Sequence, residues 1–310
     1  MNDQDIKPNQ SENDTKHPDK FYDYSFFTPS EYRNMFGTSI IESENIIKNL
    51  REQHKIFCIH SISEVNKIKI NYPPIIINSQ NINSLVNGGF QINKIYLLYG
   101  EFSTGKSQFC HDICMAFYKL YSNRQNPFHL FFIDSENSFQ PEKLQQMAKS
   151  NYYSMNFQEL IKKIKLVKIS NLSIFQNYLQ HLSSNLSKDS VNLLLIDSIT
   201  AFIRNESDIK NYSINELNKK LKKCMEKILN LKNLYNIFII MTSQVKSTPS
   251  IKLSGKFSIK PLFSYTLNEY CDELIYLYKQ NEIRYAYLIN SLDSKEKQVC
   301  FRISDEGILD

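Results

Sequence analysis

The run Gly100-Glu101-Phe102-Ser103-Thr104-Gly105-Lys106-Ser107 constrains this chain more than any other stretch, because it fits G-x-x-x-x-G-K-[ST] at every fixed position. Before it, Ile95–Tyr99 is an apolar run of strand length. After it, Phe109, Cys110, Ile113, Cys114, Phe117 and Leu120 recur at helical spacing. Strand, glycine loop and helix in that order give the pattern a mechanism. Gly100 and Gly105 let the backbone curl so that successive N–H groups converge on phosphate oxygens, and the helix N-terminus adds positive charge at the same spot. Lys106 is placed to reach the β and γ phosphates, and the Ser107 hydroxyl to ligate Mg²⁺. The loop residues Glu101, Phe102, Ser103 and Thr104, with Gln108 at the head of the helix, complete the expected nucleotide contacts. The chain has only seven glycines in 310 residues, and two stand where the loop needs them, which argues against an accidental Lys-Ser after a turn. ATP with Mg²⁺ is the expected ligand.

Length and composition leave room for this and exclude little else. The 310 residues suffice for one large domain, or one with a small appendage, and the 42% apolar content can fill a sizeable core. A net charge of +5 permits contact with an anionic polymer, so the placement of the lysines carries more weight than their number. Six cysteines include no C-x-x-C pair, and Cys110 and Cys114 share a helical face, which favours packing over metal binding. Nothing at the N-terminus resembles a signal peptide and no apolar run approaches membrane-spanning length, so the expectation is a soluble, reduced, intracellular chain with no membrane partner.

Residues 1–20 have almost no apolar content and are predicted to be a disordered tail. Residues 21–73 are predicted to form a small helical N-terminal region and linker, with a helix from about Glu42 to Gln53 and a stop at Pro73-Pro74. Residues 74–310 make the main domain, entered through an extended Pro74–Ser79. Within it, Leu130–Ile133, Lys165–Ile169, Val191–Ile196 and Asn236–Met241 are apolar or strand-like runs separated by helical patterns. One of those helices opens on a capping box, Ser213 with Glu216, and carries Leu217, Leu221, Cys224, Ile228, Leu231 and Tyr235 on one stripe. Such alternation predicts an α/β fold, a mostly parallel sheet flanked by helices. Glu273–Lys279, Arg284–Ser291 and Gln298–Ile303 have no helices between them and predict a C-terminal antiparallel extension.

Ligands gather at the carboxyl ends of parallel strands, and three of these strands end in polar residues. Asp197 follows four aliphatics, the setting of a carboxylate that holds Mg²⁺ or of one that caps a turn, and the glycine loop favours the metal role. Glu136, just past Phe131-Phe132-Ile133, is the candidate to polarise an attacking water, and Asp134 competes with it on sequence alone. Gln244 could hydrogen-bond a γ-phosphate or be an ordinary loop glutamine.

The order of segments resembles the RecA/RadA recombinase family, most closely the archaeal RadA branch and its eukaryotic relatives. The resemblance rests on INSLVNGGF, GEFSTGKSQFCH, FFIDSENSFQPEKLQQMAK, LLLIDSITAFIRNE, LYNIFIIMTSQV and FRISDEGILD, which follow the family's order from residue 82 to 310. It implies a RecA-type P-loop ATPase core with Lys106, Glu136 and Gln244 in the catalytic site. Glu136 would be the catalytic glutamate, Asp197 the Walker B aspartate and Gln244 the γ-phosphate sensor, with Asp134 in support. It also implies two DNA-binding loops. The first covers roughly Glu206 to Ser213, with Arg204 and Lys210 nearby. The second, VKSTPSIKLSGKFSIKP, carries Lys246, Lys252, Lys256 and Lys260 and no acidic residue, the charge a flexible phosphate-tracking loop needs. The implied partners are single-stranded DNA, double-stranded DNA as a second candidate, and further copies of this chain or another recombinase. The implied compartment is the cytoplasm or nucleoid for an archaeal chain and the nucleus for a eukaryotic one.

Departures from the family pattern fall away from the nucleotide loop. Where the family has P-x-G-G, this chain has Pro261-Leu-Phe-Ser264, whose Phe and Ser lack the backbone freedom of glycine. The family's interface Asp-Ser-Pro stands here as Asn290-Ser-Leu292, its helix-hairpin-helix domain is reduced to FGTSIIESENIIKNL, and its F-x-x-A motif survives as an echo around Ile59–Ile62. The resemblance thus implies an ATP-dependent DNA-binding recombinase-family protein of homologous recombination and repair. The alternative is an accessory paralogue that loads or stabilises another recombinase's filament. The four lysines of the second loop oppose a third reading, an ATPase acting only on protein partners.

Overall fold

Short, uniformly apolar strands are stable where helices cover both faces of their sheet. The computed structural model, which describes residues 29–53, 72–150, 155–210, 212–245, 259–290 and 297–310, arranges them that way. The strands are β1 (Ile95–Gly100), β2 (Phe128–Asp134), β3 (Ile164–Lys168), β4 (Val191–Asp197), β5 (Asn236–Gln244), β6 (Glu273–Gln280), β7 (Ile283–Asn290), β8 (Lys297–Ser304) and β9 (Gly307–Leu309). They form one sheet in the order β3-β2-β4-β5-β1-β6-β7-β8-β9. Pairings from β3 through β6 are parallel and those from β6 through β9 antiparallel, as the change in spacing between runs predicts. The third strand begins at Ile164 and stops at Lys168, one residue earlier than expected, because Ile164 pairs with Leu130 and Lys168 with Asp134. The short β9 has no counterpart in the sequence reading; it is too brief to show a period, and its Ile308 N–H donates to the Asp112 carboxylate.

The helices are α1 (Pro29–Phe36), α2 (Ile40–Gln53), α3 (Gln80–Leu85), α4 (Lys106–Tyr121), α5 (Pro141–Ser150), α6 (Phe157–Lys163), α7 (Leu172–Ser184), α8 (Ile199–Lys210), α9 (Ile214–Leu234) and α10 (Ser264–Tyr270). One face of the sheet packs on α3, α4 and α5, with Phe109, Ile113 and Phe117 against Leu130 and Phe238. The other packs on α7, α8 and α9 through Phe175, Phe202, Leu221 and Ile228. The α9 capping box forms as expected, with both hydrogen bonds present. Cys110 and Cys114 lie wholly inside the first core, where they act as small apolar groups. The C-terminal residue closes the domain: the Asp310 carboxylate accepts from Ser79 Oγ at 2.5 Å and from Asn81 N–H at 2.9 Å, at the head of α3.

Two expectations need correction. The stretch expected to be the first loop, 206–213, is helical as far as Lys210, because Ala201, Phe202 and Ile203 bury one side of α8 and carry the helix on. Phe263 also takes up the left-handed conformation (φ 58°, ψ 36°) at the head of α10, so the backbone shape that a glycine would favour is kept, with strain, by a phenylalanine packed on the core. The tail 1–20, the echo at Ile59–Ile62 and Ser291-Leu292 lie outside the described residues.

Candidate nucleotide site

Sheet order brings the carboxyl ends of β2, β4, β5 and β1 side by side, and the glycine loop, Glu136, Asp197 and Gln244 all emerge there. The two loop glycines serve different needs. Gly105 sits at φ 110°, the left-handed region that precedes α4. Gly100 is required by crowding: a Cβ there would stand 2.1 Å from the Leu277 carbonyl oxygen of β6. Within the loop, Thr104 Oγ1 donates to the Glu101 carbonyl at 2.9 Å. Lys106 is nine-tenths buried, and its Nζ donates to the carbonyls of Gly100 (3.0 Å) and Glu101 (2.7 Å). Burial pushes its pKa down, and the nearby Asp197 and Glu136 carboxylates oppose that. Phe102 is 91% exposed, and the Gln108 amide turns to Met147 of α5 at 3.3 Å.

The carboxylates divide by their partners. Asp134 accepts from the backbone N–H groups of Glu136 (3.2 Å), Ser138 (2.9 Å) and Phe139 (3.1 Å), so its charge is spent shaping the loop after β2. Asp197, almost wholly buried, accepts from Ser138 Oγ at 2.5 Å and from the Thr242 hydroxyl. Glu136 stays partly open, and its Oε1 accepts from Ser198 Oγ (2.9 Å), Gln244 Nε2 (2.9 Å) and Arg204 Nη2 (3.0 Å). Ser135 Oγ accepts from the Ser198 N–H at 2.7 Å and donates to the Ser198 carbonyl at 2.8 Å, stitching the loop after β2 to the one after β4.

His111, one turn into α4, accepts the Gln140 N–H on Nε2 at 3.2 Å and lies between Phe132 and Phe139. Burial lowers its pKa to about 4 against the pull of Asp197 and Asp134, so it is neutral. It props the loop that carries Glu136.

These residues suit ATP with Mg²⁺. The loop backbone at Gly100 is kept bare by its close neighbour, the buried Lys106 ammonium hydrogen-bonds, among the described residues, only to carbonyl oxygens, and the Ser107 hydroxyl and Asp197 carboxylate are the hard oxygen donors that Mg²⁺ takes. Of the residues expected to touch DNA, Arg204 reaches into this site, and Lys260 is exposed beside the Val245–Pro261 bridge. Lys246, Lys252 and Lys256 lie outside the described residues, as does the side chain of Lys210. The sequence reading missed Ser135, Ser138, Ser198, Thr242 and His111, and it missed the place of Arg204. Hydroxyl residues beside the acids in Asp134-Ser-Glu-Asn-Ser138 and Asp197-Ser198 were the available signal.

Beyond the site, a family model described as Rad51 matches residues 72–310, most of the chain.

Proposed function

The chain belongs to the Rad51 family of recombinases, and from that premise we propose that it is a DNA-dependent ATPase that binds ATP and single-stranded DNA in homologous recombination and repair. The observation that carries this reading is the convergence of Lys106, Asp197, Glu136 and Gln244 at neighbouring strand ends. Lys106 exchanges its loop carbonyls for phosphate oxygens. Glu136 orients the attacking water, and Gln244 donates to the γ-phosphate. Ser107 and Asp197 would hold Mg²⁺, which when bound supplies positive charge at the phosphates. DNA contact is assigned to the lysine-bearing second loop and to the first segment, 206–213, with Lys210. A second reading, an accessory paralogue that supports another recombinase's filament, is favoured by Asn290-Ser-Leu292 in place of the family's Asp-Ser-Pro.

ATP hydrolysis by the purified protein, with and without single-stranded DNA, tests the assignment. Lys106→Ala should abolish nucleotide binding or turnover, and Glu136→Gln should keep binding and lose hydrolysis. Hydrolysis by Glu136→Gln at the wild-type rate would sink the catalytic assignment. Electron microscopy with single-stranded DNA and a slowly hydrolysed ATP analogue separates the two readings: long regular filaments support the recombinase, and their absence supports the accessory protein.

A further inference from the structure

We infer that Arg204 is a positioning residue for hydrolysis, tying the Glu136 carboxylate to the Gln244 amide so that substrate meets the two as one unit. The inference rests on the reading of Glu136 and Gln244 just given. Arg204 Nη2 donates to Glu136 Oε1 at 3.0 Å and Nη1 donates to Gln244 Oε1 at 2.6 Å, while Gln244 Nε2 donates to Glu136 Oε1 at 2.9 Å. The three groups close a ring. Its polarity is determined: a flipped Gln244 amide would set NH₂ against guanidinium and oxygen against carboxylate, two donors and two acceptors facing each other. Arg204 and Glu136 together thus decide which way Gln244 points.

What the ring leaves over matters most. Glu136 Oε1 is saturated by Arg204, Gln244 and Ser198, whereas Oε2 accepts no hydrogen bond among the described residues. Gln244 Nε2 has two hydrogens and uses one on Glu136. An acceptor for the attacking water and a donor for a phosphate oxygen are thus held next to each other. Without the guanidinium, Gln244 Oε1 loses its donor and Glu136 keeps only Ser198 and Gln244, so both side chains are held less tightly, and the Glu136 charge loses its hydrogen-bonded cation in a partly buried site. Arg204 also lies on α8, whose C-terminal end runs into the segment assigned to DNA. Movement of that end would reach Glu136 and Gln244 together.

Steady-state ATPase kinetics test this on the full chain. Arg204→Ala should lower kcat by about 10- to 100-fold, with the KM for ATP within about threefold and the melting temperature unchanged. Arg204→Lys, which keeps the stem and the charge, should also fall well short of wild type, since an ammonium cannot bridge two acceptors as the fork does. The Arg204→Ala/Gln244→Ala double variant should be no slower than the slower single one, because both break the same ring. Wild-type kcat in Arg204→Ala or Arg204→Lys would overturn the assignment. So would a rise in kcat, which would make the contact a restraint, and so would fully multiplicative losses in the double variant. A wild-type protein that hydrolyses no ATP refutes the proposed function and this inference together. An active wild type and a dead Glu136→Gln beside an unaffected Arg204→Ala refute the inference alone.

Discussion

At the scale of single residues, the site depends on groups whose surroundings leave them one workable state. Gly100 is such a group: its missing Cβ would overlap the Leu277 carbonyl, which is rigid strand backbone and has no side chain to move aside. Gly100→Ala should cost about 1–3 kcal/mol of stability and distort the loop, read from urea denaturation and loss of nucleotide affinity. His111 gives a pH test. Its folded pKa of about 4 lies below the value near 6.5 of the unfolded chain, so on acidification the unfolded state takes up the proton first. Its contribution is complete above pH 6.5 and is lost as pH falls towards 4. Asp197 and Asp134 favour the charged ring and Lys143 opposes it, yet burial outweighs them. Between pH 7.5 and 5, wild type should lose about 2 kcal/mol more stability than His111→Gln, in urea titrations at both pH values. Equal losses would mean that the histidine is not held neutral.

At the scale of elements, the second loop is rooted at Gln244, the residue proposed to sense nucleotide. Its two ends meet: Val245 bridges Pro261, and the Leu262 N–H donates to the Gln244 carbonyl at 3.1 Å. A contact between Gln244 and the γ-phosphate would therefore be felt at both stems, and a segment-ordering switch follows. Single-stranded DNA should bind about 5- to 150-fold more tightly with ATP than with ADP. Affinity should fall steeply with salt, and replacing Lys246, Lys252, Lys256 and Lys260 by alanine should flatten that slope by about 0.7 per lost phosphate contact. Gln244→Ala should narrow the ATP/ADP difference and leave the slopes alone, as fluorescence anisotropy would measure; equal affinity in both states removes the switch.

The helix α1 is held by a different device. Glu31 accepts from Gln176 of α7 at 2.8 Å and pairs at 3.6 Å with Lys227 of α9, whose side chain is 3% exposed and whose pKa burial pushes down. Removing one partner of a buried pair costs more than replacing the cation by an apolar group. Glu31→Ala should thus destabilise the protein by about 3 kcal/mol, and Lys227→Met should be near neutral. Thermal melting of the two variants decides it; the reverse order would refute the account.

At the scale of the whole molecule, β3 stands at the parallel end of the sheet, where among the described residues it pairs only with β2, and it carries Lys165 and Lys168 exposed. Charged side chains along an open edge disfavour pairing with a further strand. With the interface Asp-Ser-Pro standing as Asn290-Ser-Leu292, this argues for weak self-assembly. Sedimentation with ATP and no DNA should show monomers or small oligomers; stable rings of many subunits would contradict that. No described helix is long and apolar enough to cross a membrane.

The sequence by itself determined what depends on neighbours along the chain. Strand, glycine loop and helix around Gly100–Ser107 were legible because a phosphate cradle is built from consecutive backbone amides. The polarity of the sheet followed from runs that either have helices between them or do not. Only tertiary structure showed the different partners of Asp134 and Glu136, which stand two residues apart and which the family resemblance had already ranked: beside the β2–β4 pairing, Asp134 accepts from backbone amides and Glu136 accepts from Gln244. It also placed Arg204, 68 positions from Glu136, and the Leu277 carbonyl that forbids a side chain at Gly100. Such contacts join segments whose local patterns are satisfied without them, so they appear only when the strands are laid side by side.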